Sequence, residues 1–307
     1  MGPSPTAPNS ALPQPETLPS VPWPAPSAIL ELLKPITWFA PMWAYMCGLV
    51  SAGQPFTGRG LEIALGIALA GPLVCGTSQA VNDWFDRHVD AVNEPNRPIP
   101  SGRIAGQWGL RIGIAWTIVS LAVAAVLGPL TFAAATVGLA LAWAYSAPPF
   151  RLKENGWAGA TAVAACYEGL PWFTGATIMA GGMPSGAILA LAALYSFGAI
   201  GIMVLNDFKA VDGDTKLGVR SIPVMLGTDK AAKLACAVMA APQVVVIALL
   251  LARGAPWHAL AITALLAVQA RLMITFLKDP RAKAPWYNAT GTSLYVLGML
   301  ISAFAVR

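Results

Sequence analysis

The fold class this sequence predicts is an all-α polytopic membrane protein with about nine transmembrane helices. Three observations carry that reading. The 307-residue chain is 56% hydrophobic and only 11% charged, whereas soluble domains carry roughly 25% charged residues. Apolar runs of ~20 residues recur along its length, each long enough to cross a ~30 Å hydrocarbon layer. Lys and Arg are concentrated in alternate connections, as cytoplasmic loops require.

Taken in order, residues 1–27 form the first unit. Positions 1–26 hold nine prolines and neither Lys nor Arg, too little apolar periodicity to offset ordering entropy, so a disordered tail is expected. It lacks the positive n-region of a secretory signal and the arginines of a transit peptide. Residues 28–307 form the membrane domain. Its spans are expected at 35–53, 62–81, 108–127, 130–146, 158–180, 186–206, 231–252, 257–277 and 286–305, with ends set by the apolar periodicity. Long polar connections at 82–107, 147–157, 207–230 and 278–285 alternate with short plain ones.

The long connections carry Arg87, Arg97, Arg103, Arg151, Lys153, Lys209, Lys216, Arg220, Lys230, Lys278, Arg281 and Lys283, with Lys34 and Lys233 at adjoining helix ends. The other side has only Arg59, Arg253 and Arg307. This bias places the long connections and the N-terminus in the cytoplasm. Topology thereby accounts for most of the net charge of +5, and no nucleic-acid partner is indicated. Cys47, Cys75, Cys166 and Cys236 lie in apolar runs without CxxC spacing, so they read as small buried hydrophobes. His88 and His258 are too few and too distant for a histidine metal cluster.

The chain also echoes itself. Asn82-Asp83 ends the second span and Asn206-Asp207 the sixth, and each pair is followed by a basic-proline phrase, "RPIP" from Arg97 and "RSIP" from Arg220. Two pseudo-symmetric halves with acidic mouths are expected. Asn82, Asp86 and Asp90 are spaced i, i+4, i+8, so a second helix extended past the membrane boundary presents them along one face, drifting about 40° per step. Asp83 points roughly 100° away, on the flank. Asp207 and Asp214 are seven apart and share a face, with Asp212 off it unless Gly213 breaks the helix. Seven of the fourteen carboxylates, Glu94 included, fall in the first halves of these two loops. Such columns repel one another unless a cation is supplied. Mg²⁺ suits them, because it prefers carboxylate oxygen and shares its shell with substrate phosphates. With Arg97, Arg151, Lys153, Lys209, Lys216 and Arg220 in the same loops, a diphosphate held through metal bridges and direct cation contacts is the expected ligand.

The phrase "NDWFDRHVD" matches the NxxxDxxxD signature of the UbiA superfamily of intramembrane prenyltransferases, with Asn82, Asp86 and Asp90 in the defining positions. The longer phrases "GTSQAVNDWFDRHVDAVNEPNRPIPSGRI", "YSAPPFRLKENGW", "YEGLPWFTGA" and "LNDFKAVDGDTKLGVRSIPVMLG" resemble the chlorophyll synthase branch, and the first is more similar to its purple-bacterial bacteriochlorophyll synthases. The resemblance covers about residues 28–307. One departure stands out: a second DxxxD motif would need an acid at 210, where this chain has Ala210, and Asp207 one turn earlier is the expected substitute.

The resemblance implies helices arranged around a central cavity. It also implies transfer of a geranylgeranyl or phytyl group from its diphosphate to the propionate of bacteriochlorophyllide. Asn82, Asp86, Asp90, Asp207 and Asp214 are then the expected catalytic set, holding two Mg²⁺ ions with Asp83 and Asp212 as further ligands. Trp84, Phe85, Tyr145, Tyr167, Trp172 and Phe173 are expected to wall the cavity and exclude water from an allylic cation; interfacial anchoring or packing is the alternative for each. Glu168 inside the fifth span is either functional or a hydrogen-bonded helix contact, and Gln269 and Arg271 raise the same question. His88 lies about 200° from Asp86 on an extended helix and reads as solvated rather than as a pigment ligand. The expected setting is a bacterial inner, intracytoplasmic photosynthetic membrane, with membrane lipid and other pigment-biosynthesis proteins as candidate partners. A phenolic or haem acceptor, an ion-coupled carrier and a non-catalytic pigment scaffold are the rival readings.

Overall fold

The computed structural model describes residues 22–307, so the expected tail lies almost wholly outside the described residues. Its final residues open a short interfacial helix, α1 (Pro26–Leu32). There follow α2 (Phe39–Ser51), α3 (Gly60–Asn93), α4 (Trp108–Leu127), α5 (Pro129–Ser146), α6 (156–180) and α7 (Gly186–Lys216). The chain ends with α8 (Ile222–Leu226), α9 (Thr228–Ala252), α10 (Pro256–Phe276) and α11 (Pro280–Val306). Seven of these, α3, α4, α5, α7, α9, α10 and α11, are long and apolar enough to cross a membrane. The first and fifth expected spans correspond to α2 and α6. At 13 residues α2 is shorter than the expected 35–53, because Lys34 adopts a left-handed backbone (φ 48°) and Pro35–Thr37 forms a separate 3₁₀ turn before the helix begins.

Two helices run past their expected ends. The α3 helix continues to Asn93 and α7 to Lys216, so both acidic loops begin as helix projecting from the apolar layer. In α7 a single 3₁₀ turn at Phe208–Ala210 leads into the last turns, and Gly213 does not break it. Two π turns interrupt the ladders. One, Leu69–Cys75 in α3, surrounds Pro72, which has no N–H to give its helix. The other, Ala165–Gly169, sits in mid-α6. Such turns re-aim side chains and concentrate at functional sites.

Because lipid tails are as apolar as leucine, helix association here relies on close packing of small residues. The α2–α6 contact is the clearest case. A Cβ on Gly48 would lie 2.1 Å from the Trp172 carbonyl oxygen, and one on Gly175 would lie 2.2 Å from that of Tyr45. Backbone meets backbone with no room for a methyl group. Elsewhere buried polar groups join helices: Gln243 Nε2 donates to Gln269 Oε1 (2.7 Å), and Gln269 Nε2 donates to the Gly291 carbonyl (3.0 Å), linking α9, α10 and α11. Gln269 is thus a structural contact. The other residue left open beside it, Arg271, is exposed.

Candidate active site

The main cavity has a volume of about 610 Å³ and is walled by α2, α3, α5, α6, α7 and α11. Asn82, Tyr145 and Asn206 line it at the end where α3 and α7 project, while Glu168, Ala199 and Val296 line it further in. Much of the wall is Ala, Val, Ile, Leu and Met, suited to a hydrocarbon chain.

At the mouth, the α3 acids divide between two faces. Asn82 Nδ2 donates to Asp86 Oδ2 (3.0 Å) and to Ser146 Oγ (3.2 Å), holding Asp86 over the mouth. Asp86 also receives the Lys153 ammonium and lies 4.0 Å from Arg151. Asp83 and Asp90 turn the other way. Lys34 reaches Asp83 at 2.6 Å, and Arg97 bridges Asp83 (3.5 Å) and Asp90 (2.8 Å). The reason is helical geometry: a seven-residue step returns to within about 20° of the starting face, whereas eight residues drift about 80°. Along the expected column of Asn82, Asp86 and Asp90, the first two are joined to each other, while Asp90 pairs with Arg97. Burial lowers the pKa of Arg97, but Asp83 and Asp90 outweigh it and hold the guanidinium above its ordinary value.

Across the mouth, Asp207, Asp86 and Asp214 all lie within electrostatic range of the Tyr145 hydroxyl. Asp207 and Asp214 on α7 lie close enough to act on each other electrostatically. Asp212 points outward to Arg281 (2.7 Å), with 77% of its side chain exposed. It belongs to the surface, not to the mouth. Among the described residues no three of His, Cys, Asp and Glu converge on a ready-made metal site. The donors facing the mouth, Asn82, Asp86, Asp207 and Asp214, are all hard oxygen groups, which is the chemistry Mg²⁺ takes.

The cations are unequally placed. Lys153 and Arg151 sit at the mouth, and Arg97 is committed to Asp83 and Asp90. Lys209, Lys216 and Arg220 are exposed. Arg220 is tied in through its backbone: its carbonyl accepts from Gly156 N–H (2.9 Å), and its own N–H donates to the Glu154 carbonyl (3.2 Å), joining two of the long connections. Among the described residues, the two non-glycine positions with left-handed backbone, Lys34 and Arg151, are both cations that reach site carboxylates. Strain of this kind persists where the surroundings require it.

Of the expected wall residues, Tyr145, Tyr167 and Glu168 line the cavity. Trp84, Phe85, Trp172 and Phe173 do not, and packing explains why. Trp84 lies about 200° round α3 from Asn82 and carries the Arg87 guanidinium 4.2 Å above its ring. Phe85 meets Trp143 edge-on at 6.3 Å. Trp172 is fully buried, stacked on Tyr195 at 5.6 Å and bonded to Ser51 Oγ (3.2 Å). Phe173, one residue further on, is half-buried away from the lining. His88 is exposed, as expected. Missed by sequence reasoning were Gln79, which donates to the Tyr167 hydroxyl (3.2 Å), and Asn288, which donates to Asn206 Oδ1 (2.7 Å) and accepts from Thr292 (3.2 Å). The i, i+4 spacing of Asn288 and Thr292 in an apolar span was the available signal.

The UbiA prenyltransferase family matches residues 39–301. The chain belongs to that family. It is 60% identical over 284 residues to the bacteriochlorophyll synthase 33 kDa chain of Cereibacter sphaeroides, covering 92% of this chain and 94% of that one. It is 38% identical to the chloroplastic chlorophyll synthase of Arabidopsis thaliana, covering 90% and 73%. Among solved structures, a UbiA homolog from Archaeoglobus fulgidus bound to GPP and Mg²⁺ superposes with a TM-score of 0.69 at 22% identity, covering 87% of this chain and 99% of that one. A digeranylgeranylglyceryl phosphate synthase structure gives 0.71 at 20% identity, covering 91% and 97%. At those identities the structures establish the shared fold. Family membership makes the chain a prenyltransferase.

Proposed function

We propose that the chain transfers a geranylgeranyl or phytyl group from its diphosphate to the propionate carboxylate of bacteriochlorophyllide. The observation that carries this reading is a largely apolar cavity whose mouth is flanked by two acidic helix ends, with Lys153 and Arg151 beside Asp86. The 60% identity to a bacteriochlorophyll synthase supports the acceptor. In the reaction, the allylic C–O bond to diphosphate breaks and a propionate oxygen bonds the same carbon. Diphosphate leaves with the bonding pair, and no proton is transferred. The acceptor is already an anion near neutral pH, so the site needs no strong base.

Asn82, Asp86, Asp207 and Asp214 are the residues that would hold Mg²⁺, which neutralises the diphosphate as negative charge develops on it. Two ions, one per acidic helix end, are the proposed number. Lys153 holds Asp86 in readiness, Arg151 is ion-paired with Glu154 (2.8 Å) beside it, and both cations can turn to diphosphate oxygens when these arrive. Tyr145 lines the cavity within reach of the acids, where its ring can shield an allylic cation from water. Asp90 and Asp83, through Arg97, anchor the return of the 94–107 loop on the other face of α3. The proposed setting is a bacterial inner membrane with this mouth on its cytoplasmic side.

The test is product analysis. Membranes containing the protein, given labelled geranylgeranyl diphosphate with bacteriochlorophyllide, 4-hydroxybenzoate or homogentisate, are expected to prenylate only the chlorin and only with Mg²⁺. Preferential prenylation of a phenolic ring would overturn the acceptor assignment.

A further inference from the structure

We infer that Glu168 is the axial ligand to the central magnesium of the chlorin acceptor, a proposal that rests on the acceptor assignment above. Glu168 is 4% exposed, and its Oε2 is sealed with no hydrogen-bond partner. No ion pair reaches it among the described residues. A buried carboxyl with nothing opposite is costly, and a purely structural one would show its partner, as Gln269 does at both ends of its amide. Other buried polar atoms without a hydrogen bond occur, on Asp83, Trp108, Thr131, Arg151, Thr177, Ser221, Gln243 and Tyr287, but none of those residues lines the cavity.

The backbone is built to present it. The π turn at Ala165–Gly169 brings Cys166, Tyr167 and Glu168, three successive residues, into the cavity wall. With Ala162, Val163 and Ala164 of the preceding α-helical turn they form one stretch of lining. The position fits as well. The neighbouring Tyr167 is bonded to Gln79, one turn deeper along α3 than Asn82. A ring held by its centre at Glu168 leaves its peripheral propionate free to extend toward the mouth.

A partner for this carboxyl has to arrive inside an apolar cavity, and a metal ion carried within an apolar molecule can do so. A chlorin is such a molecule, because it is a flat apolar ring enclosing a hard divalent ion with an open axial position. Hard magnesium takes oxygen donors. His88, the other residue considered for this role, is exposed on the far side of α3.

The test compares bacteriochlorophyllide with its magnesium-free counterpart, using wild-type protein and the near-isosteric Glu168→Gln, with saturating geranylgeranyl diphosphate. Loss of one charge-assisted contact is expected to raise KM for the magnesium pigment about tenfold, with little change in kcat. KM for the metal-free pigment should be the same for both proteins. Equal effects on both pigments, or on neither, would overturn the assignment. Should E168Q fail to fold, wild-type protein alone decides: the magnesium pigment must bind about tenfold tighter than the metal-free one, and equal affinity refutes the ligand. If wild-type protein esterifies neither chlorin, the proposed function itself fails. If it esterifies both without discrimination, only the role of Glu168 is lost.

Discussion

Asp86 and Asp212 carry the same chemical group in loops of similar composition, yet they face opposite fates. Asp86 is held by Asn82 over the cavity mouth with Lys153 and Arg151 beside it, while Asp212 meets Arg281 in solvent. Asp86→Asn should lower kcat by at least about 100-fold, the scale of losing one electrostatic stabiliser. Asp212→Asn should leave it within about twofold, since exposed pairs contribute little. Initial rates on folded, gel-filtered variants check both. Arg97 tests a different property. It joins the buried Asp83 and Asp90, so Arg97→Gln leaves two carboxylates without their shared cation and should lower Tm distinctly. Arg103→Gln, which breaks an exposed pair with Glu31, should scarcely move it. At this scale the sequence was partly legible. Charge density marked the loops and the NxxxDxxxD spacing marked Asn82 and Asp86. The assignment of Asp90 to Arg97 depended on which seven- and eight-residue steps realign, and on a loop return that no local pattern specifies.

At the scale of elements, the site is made by helices that outrun the apolar layer and by turns that depart from α geometry. The extension of α3 to Asn93 and α7 to Lys216 converts two loops into facing acidic columns. The π turn in α6 aims Tyr167 and Glu168 inward. Hydropathy found the spans but could not see these features, because π turns carry no composition of their own. It also extended the first span to 35–53, where the left-handed backbone at Lys34 and the turn at Pro35 delay α2 to Phe39. The aromatic residues show the same limit. Trp84, Phe85, Trp172 and Phe173 were grouped with Tyr145 and Tyr167 by type, and helix rotation separated them. The α2–α6 contact gives an element-level prediction. Gly175→Val places a branched side chain where even a Cβ would lie 2.2 Å from the Tyr45 carbonyl oxygen, so the helices must part. The variant should lose Tm and yield in detergent, whereas Gly182→Val, in open space, should behave as wild type.

For the whole molecule, composition made the membrane class legible, and family membership then followed from residues 39–301. The central cavity and three of its wall residues, Tyr145, Tyr167 and Glu168, were legible through the family resemblance, whereas the rest of its lining was not, because it is assembled from six helices distant in sequence. Sidedness has its own check. Cysteines introduced at Gly213 and at Gly254 should be labelled from opposite faces by an impermeant thiol reagent, with Gly213 accessible from the cytoplasm. The central claim is that two facing acidic helix ends activate a prenyl diphosphate for capture by a chlorin carboxylate. The most direct test is a single-product assay on purified protein with geranylgeranyl diphosphate and bacteriochlorophyllide, with and without Mg²⁺, in wild type and Asp86→Asn. The account predicts one prenyl ester and equimolar diphosphate from wild type with Mg²⁺, and neither without the metal or in the variant. Ester formation that persists in Asp86→Asn at the wild-type rate would contradict it.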